Sequence, residues 1–160
     1  MSGAARGSDV ESIDGIVRAI YDVISGPAGG RDWDRERSLF LPGARLVPTR
    51  PLASGGAGAD VFDVEGYIAS RTPMFAAQDV WETEIARQTF VFGNLAHVLS
   101  SYELRRSSPA GGELPPVRGI NSIQLFNDGR RWWITAMIWD NERPGVSIPE
   151  SLLAAPAGQR

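Results

Sequence analysis

The chain has 160 residues, of which 42% are hydrophobic and 22% charged, and its formal net charge at pH 7 is −3. This length and composition fit one globular domain with a real core. A mildly acidic chain without a basic block argues against nucleic-acid binding. The chain has no cysteine and a single histidine, His97, which excludes disulfides, thiol catalysis and a multi-histidine metal site within one chain. A metal site made only of carboxylates stays open, but no loop spacing suggests one, and we expect no metal and no cofactor.

The start of the chain lacks a secretion signal, and no run reaches the roughly 18 apolar residues of a membrane helix. We therefore expect a cytoplasmic protein that contacts no membrane. Residues 1–11 are small and polar and are predicted to form a disordered N-terminal tail. The domain is expected to span 12–143, and 144–160, rich in proline, to form an extended C-terminal tail.

Three helices are predicted in the first half of the chain. Residues 12–25 place apolar side chains at spacings of three and four, and Gly26 with the following proline ends the helix. A short second helix begins at Asp32, which is suited to cap it. The third covers 64–77 with Asp63 as its cap, although it contains a proline that disfavours a helix interior.

The remaining segments predict strands. Residues 44–49 read as a short strand, and 51–60, rich in glycine and alanine, as a mobile loop. This loop is not a phosphate-binding loop, because no Lys followed by Ser or Thr comes after its glycines. Four long strands follow, separated by turn signals that include Gly93-Asn94 and Asn127-Asp128-Gly129; they cover 80–92, 95–106, 117–127 and 131–141.

This order predicts an α+β fold. Four long meander strands plus one short strand would form a cone-shaped, curved antiparallel sheet packed against three N-terminal helices. Strands of about 10 to 13 residues are long and favour strong twist. A curved sheet closed by helices encloses a cavity, which is either an open pocket or a space filled with side chains.

The sequence resembles the nuclear transport factor 2-like superfamily, which includes ketosteroid isomerases, polyketide cyclases, scytalone dehydratase and limonene epoxide hydrolase. The stretch WDRERSLFLPGARL looks like the family's second helix running into its first strand. FGNLAHVLSSYELR and RGINSIQLFNDGRRWWITAMIWDNE look like later strands of an uncharacterised bacterial branch. The resemblance covers about 12–143. It implies a cystatin-like α+β roll, a pocket between helices and sheet, and a homodimer through the outer sheet face, but it does not fix a function.

The resemblance also suggests which side chains face the pocket. Trp139 matches a pocket tryptophan of ketosteroid isomerases, and the alternation of strand side chains extends the assignment to its neighbours. The residues expected to face inward are Trp133, Thr135, Met137 and Trp139 on the last strand, Ile120, Ser122 and Gln124 on the preceding one, and His97, Leu99 and Ser101 on the one before that. Those expected to face outward are Ala96, Val98, Ser100, Ile134, Ala136 and Ile138.

The candidate ligand-binding residues are therefore mostly apolar and aromatic, as expected for a small-molecule pocket. They are Trp33, Phe40, Tyr67, Leu99, Ser122, Gln124, Trp133, Met137 and Trp139. The same aromatic residues could instead fill the cavity as core.

Two positions depart from the ketosteroid isomerase pattern. Pro48 stands where that enzyme has its carboxylate base, and Ser122 where it has a protonated aspartic acid. A hydroxyl can replace a hydrogen-bond donor, but without the base proton abstraction is lost. Steroid isomerisation is therefore disfavoured.

His97 is the candidate catalytic residue, since its ordinary pKa of about 6.5 suits general acid–base work. Three interpretations stay open: a general acid/base, a non-catalytic contact in the pocket, or a packed structural residue. A partner that fixes its tautomer is expected across the sheet, at Ser122 or Gln124, or on a helix, at Tyr21 or Tyr67. The carboxylates do not form a pair: Glu82 and Glu84 are interpreted as a solvated strand edge, and Asp140 as pointing away from the pocket.

The sequence leads to two functional hypotheses. The first is a small-molecule-binding domain with an apolar pocket for a small apolar ligand. The alternative is a cofactor-independent isomerase, dehydratase or cyclase that acts on a compact apolar substrate, with His97 as general acid/base. In either case we expect a homodimer.

Overall fold

The computed structural model describes residues 5–154, which form an α+β fold built on one curved six-stranded sheet. In chain order the elements are α1 (Gly7–Val10), α2 (Ile13–Ile24), α3 (Trp33–Leu39), β1 (Phe40–Pro51), β2 (Ala57–Ala59), α4 (Val64–Ala77), β3 (Val80–Phe92), β4 (Leu95–Arg106), β5 (Val117–Asn127), β6 (Trp132–Asn141) and a 3-10 helix, Glu150–Leu152. No helix within this range is long and apolar enough to cross a membrane.

The predicted helices form where their caps and apolar stripes place them. The side chains of Ser12, Asp32 and Asp63 accept hydrogen bonds from the first-turn amides of α2, α3 and α4, which satisfies N–H groups that a helix start leaves free. The apolar face of α2 is buried against the sheet. The helix α4 continues through Pro73.

The strands lie in the order β2-β1-β6-β5-β4-β3. All neighbours are antiparallel except β1 and β6, which run parallel. The long strands β3 to β6 form the predicted meander, whose turns place Gly93 and Gly129 at positive φ. The helices cover one side of the sheet, here called the inner face.

The structure adds elements at both ends of the predicted domain. Gly7–Val10 is a helix whose Val10 joins the core, so the expected disorder over 1–11 is wrong for these residues; residues 1–4 lie outside the described range. Residues 144–154 fold back, with Ile148 and Leu152 buried, so this part of the tail is not a free extended arm. Residues 155–160 lie outside the described range.

The strand predicted at 44–49 is longer, and the glycine-rich loop is partly ordered. The strand β1 begins at Phe40, directly after α3, because parallel pairing with β6 holds the chain extended from that residue. Within 51–60, the residues Ala57–Ala59 pair with the end of β1 as β2.

Candidate functional site

A cavity of about 390 Å³ lies between the helices and the inner face of the sheet. Its apolar wall comes from α2 and α4 on one side and from the long strands on the other. The apolar and aromatic residues that line it include Ile20, Ile24, Leu46, Tyr67, Met74, Phe75, Val80, Tyr102, Leu104, Met137 and Trp139. The cone is therefore not completely filled by its own side chains.

Glu36 on α3 is the most unusual group of the cavity wall. It is fully buried, and neither carboxyl oxygen has a hydrogen-bond partner within the described chain. Burial raises its pKa to about 8, because a carboxylate without partners is costly in an apolar environment. The carboxyl is therefore largely protonated at neutral pH.

Glu82 on β3 supplies a second carboxyl to the same cavity. Burial raises its pKa to about 7, although a hydrogen bond from Asn121 acts in the opposite direction. The Asn121 Nδ2 donates to Glu82 Oε1 at 3.3 Å. Glu82 was interpreted as part of a solvated edge, which is wrong, because the strand alternation turns Val80 and Glu82 toward the helices.

A buried hydrogen-bond network holds Asn121 in place. Its Nδ2 also donates to the Tyr21 hydroxyl at 3.1 Å, and that hydroxyl lies 2.7 Å from Ser100 Oγ. Ser100 in turn bonds to Glu84. Burial, followed by the nearby Glu82, raises the pKa of Tyr21 far above its usual range, so Tyr21 stays a neutral hydrogen-bonding group.

Two aromatic rings form a corner of the cavity. Tyr67 and Trp139 meet at 90° with ring centroids 6.0 Å apart, an edge-to-face arrangement that aromatic pairs favour. Burial, followed by the charges of Glu36 and Glu82, raises the pKa of the Tyr67 hydroxyl well above its usual range. The charges of Glu36 and Glu82 therefore both affect the pKa of Tyr67, at the same corner of the cavity.

The positive charges of the cavity lining belong to arginines that are at least partly exposed. Arg50 pairs with Asp60, and the Arg71 guanidinium lies 5.7 Å from the centroid of the Tyr67 ring. Arg106 is the third arginine of the lining. Within residues 5–154, neither Glu36 nor Glu82 forms an ion pair with any of them.

Three of the predicted ligand-binding residues lie on the cavity wall, namely Tyr67, Met137 and Trp139. Trp33 packs behind the wall, with its ring centroid 5.7 Å from that of Phe75. Phe40 and Trp133 instead line a wider groove of about 740 Å³ on another side of the molecule.

His97 does not face the cavity, so the expectation that it would was wrong. It pairs with Gln124 across the sheet, its Nε2 lies 2.9 Å from Ser122 Oγ, and its ring stacks on Phe90. Ser122 was correctly predicted as a possible partner, but the pair lies on the side of the sheet away from the helices. We call this side the outer face; it includes Phe90, Phe92, Leu95, His97, Leu99, Ser122, Gln124, Ala136 and Ile138.

The assignments on β4 and β5 were wrong by one residue, which exchanges the two faces of a strand. Buried Ala96, Val98 and Ser100 face inward, while Leu99 lies outward. Ser101 also faces outward. It is buried, and its hydroxyl donates to the carbonyl of Leu152 in the segment that folds back over it. On β5, Asn121 and Ile123 face inward, and Ile120, Ser122 and Gln124 outward.

On β6 the predicted faces are correct only near Trp139, the residue from which the alternation was counted. Met137 and Trp139 face inward as expected. The register shifts between Gln124 and Leu125, whose partners are Ala136 and Ile134, so Thr135 is an extra residue. This bulge reverses the alternation, and therefore Ile134 is buried in the core rather than on the outer face.

The two carboxyls and Asn121 are the cavity residues that the sequence reasoning missed. A signal was present for Glu36, because it follows Trp33 by three residues and precedes Phe40 by four, which places it on the apolar side of α3. A signal was also present for Glu82, two residues after buried Val80. Asp140 does not line the cavity, as its alternation with Trp139 predicted. No cluster of three potential metal-ligating side chains occurs among residues 5–154.

No protein-family model and no curated protein matches the sequence. Solved structures do match the fold. A cystatin-like protein from Caulobacter vibrioides is 10% identical, with a TM-score of 0.61, over 84% of this chain and 90% of that one. A proposed dehydratase of the NTF2-like family from Streptomyces avermitilis is 12% identical, with a TM-score of 0.58, over 84% and 96%. The S. rosetta CaMKII hub is 15% identical, with a TM-score of 0.52, over 81% and 90%.

Proposed function

Because this chain has the NTF2-like, cystatin-like fold, we propose that it binds a compact small molecule in the cavity between helices and sheet. The observation that carries this proposal is Glu36, a fully buried carboxyl on the cavity wall without a partner in the described chain. A core residue serves stability better when it is apolar or fully hydrogen-bonded. A carboxyl kept there points to a partner supplied from outside the described chain.

The shape and lining of the cavity support the same proposal. A volume of about 390 Å³ fits a small organic molecule, and binding sites of this kind combine apolar walls with a few convergent polar groups. Glu36 and Glu82 provide those groups. The site therefore combines a large apolar contact area with two groups that can orient a ligand.

The proposal is tested by closing the cavity. Met74 lies on its wall and is partly exposed, so Met74→Trp should fill space with limited strain on the core. Binding of benzyl alcohol, followed by isothermal titration calorimetry, is expected in the wild type and lost in Met74→Trp. Leu99→Trp on the outer face is the matched control and should bind as the wild type does. Equal binding by both variants contradicts the proposal.

A second candidate function is cofactor-independent acid–base catalysis, as in an isomerase, dehydratase or cyclase. Glu82 favours it, because its pKa is raised to about 7, and a general base works best when its pKa lies near the working pH. Glu82 replaces His97 as the candidate base, because Glu82 lines the cavity and His97 does not. The Glu82 carboxylate would take a proton from a carbon next to a carbonyl and return it to the resulting enolate.

Deuterium exchange tests this second candidate directly. Cyclohexanone in D₂O should gain deuterium next to its carbonyl faster with the wild type than with Glu82→Gln. His97→Ala should exchange as the wild type does. Equal rates for the wild type and Glu82→Gln contradict a catalytic role for Glu82.

We also propose that two copies associate through the outer face. Phe92 is 82% exposed, Phe90 57% and Leu95 56%, and a contiguous apolar patch of this kind marks an interaction surface. The structural similarity to a CaMKII hub supports association of copies in general.

A further inference from the structure

We propose that the natural ligand of the cavity carries a primary or substituted ammonium group, held between the carboxyls of Glu36 and Glu82 and the aromatic corner of Tyr67 and Trp139. This inference rests on the proposed small-molecule binding and names the chemical class of the ligand.

The first argument is that no cation among residues 5–154 pairs with either carboxyl. Neither oxygen of Glu36 has a partner, and Glu82 receives a single bond, 3.3 Å long, from the neutral Asn121. Other carboxylates of the described chain do pair with arginine, as Asp9 does with Arg35 at 2.7 Å. Buried charges in proteins are normally paired. A ligand ammonium would supply one positive charge and several N–H donors, enough to pair with one ionised glutamate and to donate a hydrogen bond to the other.

The second argument is the aromatic surface beside these carboxyls. Tyr67 and Trp139 form two walls at right angles, and Phe75 and Tyr102 line the same cavity. The faces of aromatic rings attract cations, and this attraction grows when the cation is desolvated. A site enclosed by several rings and closed by carboxyl groups has the chemistry that recognises an ammonium ion.

The remaining charged groups around the cavity do not satisfy the two glutamates. Arg71 from α4, Arg106 from β4 and Arg50 from β1 are at least partly exposed, and Arg50 already pairs with Asp60. Glu84, on the same strand as Glu82, already pairs with Arg87. The hydroxyls of Tyr21, Tyr67 and Tyr102 also lie near the carboxyls, each with its pKa raised chiefly by burial. These hydroxyls stay neutral, so the charge of the ammonium is balanced by the glutamates alone.

Two probes of nearly equal shape test the inference. Benzylamine and benzyl alcohol differ in the group that would meet the carboxyls, and calorimetry should show that the amine binds the wild type roughly tenfold more tightly or better. The preference should grow from about pH 6 to about pH 8.5, because burial raises the pKa of Glu82 to about 7 and that of Glu36 to about 8, so both lose their protons over this range. The affinity for the alcohol should change little.

The variants assign the effect to the two carboxyls. Glu36→Gln and Glu82→Gln keep the side-chain size and should each reduce the amine preference, and the double variant should abolish it while still binding benzyl alcohol. Glu103→Gln, a partly exposed glutamate paired with Arg105 outside the cavity, is the matched control and should behave as the wild type.

The outcomes separate this inference from the binding proposal. Equal affinities for both probes, or an amine preference that survives in the double variant, overturn the ammonium inference and leave small-molecule binding intact. Failure of the wild type to bind either probe overturns both.

Discussion

Asn121 donates from Nδ2 to Glu82 Oε1 at 3.3 Å and from the same atom to the Tyr21 hydroxyl at 3.1 Å. One amide thus links the cavity carboxyl to the buried network beneath α2. The bond also favours the charged form of Glu82 and lowers its pKa relative to burial alone. Asn121 therefore contacts Glu82 directly and partly offsets the effect of burial on its pKa.

Asn121→Leu should raise the pKa of Glu82 above about 7, because it removes the single hydrogen bond that stabilises the carboxylate. The Glu82 carboxyl carbon, followed by NMR as a function of pH, reports this change. Asn94→Leu, at an exposed turn, serves as the control. An unchanged titration midpoint in Asn121→Leu contradicts the link.

Glu36→Gln should change how stability depends on pH. The folded pKa of Glu36, about 8, exceeds its ordinary value, so between roughly pH 4.5 and 8 the folded state holds a proton that the unfolded state has lost. The wild type is therefore most stable on the acid side of this window and loses stability as the pH rises through it. Removing the carboxyl removes that loss.

The expected size of this effect is on the order of 3 kcal/mol between pH 5 and pH 8. Urea unfolding at both pH values gives the change in the free energy of unfolding between pH 5 and pH 8 for the wild type and for Glu36→Gln. The difference between these two changes is the contribution of Glu36. Glu103→Gln should follow the wild type. If Glu36→Gln and the wild type have parallel pH profiles, Glu36 is not buried as a neutral acid.

His97→Ala should leave ligand binding in the cavity intact, because His97 lies on the outer face with Ser122 and Phe90. The loss of its hydrogen bond should cost less than about 1.5 kcal/mol of the free energy of unfolding. Benzyl alcohol titration and urea unfolding measure the two effects. If a folded His97→Ala protein no longer binds benzyl alcohol, the placement of His97 outside the site is contradicted.

Phe92→Asp should weaken the proposed association of two copies. It places a charge in the most exposed apolar side chain of the outer face, where a partner copy would have to desolvate it. Sedimentation equilibrium should show a shift toward monomer relative to the wild type. Val61→Asp, 66% exposed but outside this face, should not shift it, and equal behaviour of both variants argues against this interface.

Much of the fold could be predicted from local sequence signals. The apolar spacing and the stop at Gly26 predicted α2, and the turns at Gly93 and Asn127 to Gly129 predicted the meander. These signals are local, because they act through nearest neighbours and single turns. The packing of Leu152 on the sheet depends on Ser101, which is distant in sequence, and no local pattern predicts it. The pairing of Ala57–Ala59 with the end of β1 is a local hairpin, but its small residues carry no strand signal.

The site was harder to predict for a physical reason. A strand alternates with a period of two, so an alignment error of one residue moved His97 and Ser122 from the outer face to the inner. The bulge at Thr135 then limited the correct assignment on β6 to residues 136–139. Glu36 and Glu82 were missed because charged residues are usually exposed, and their burial becomes visible only in the packed structure.

The central claim, that a small molecule occupies this cavity, is tested most directly by methyl NMR. Met74 and Met137 both line the cavity, and Leu99→Met adds a methyl reporter on the outer face. With methionine methyl groups labelled with ¹³C, benzyl alcohol should shift the Met74 and Met137 signals along one saturable curve. The signal introduced by Leu99→Met should stay in place. Unmoved Met74 and Met137 signals, or shifts confined to the outer-face reporter, contradict the claim.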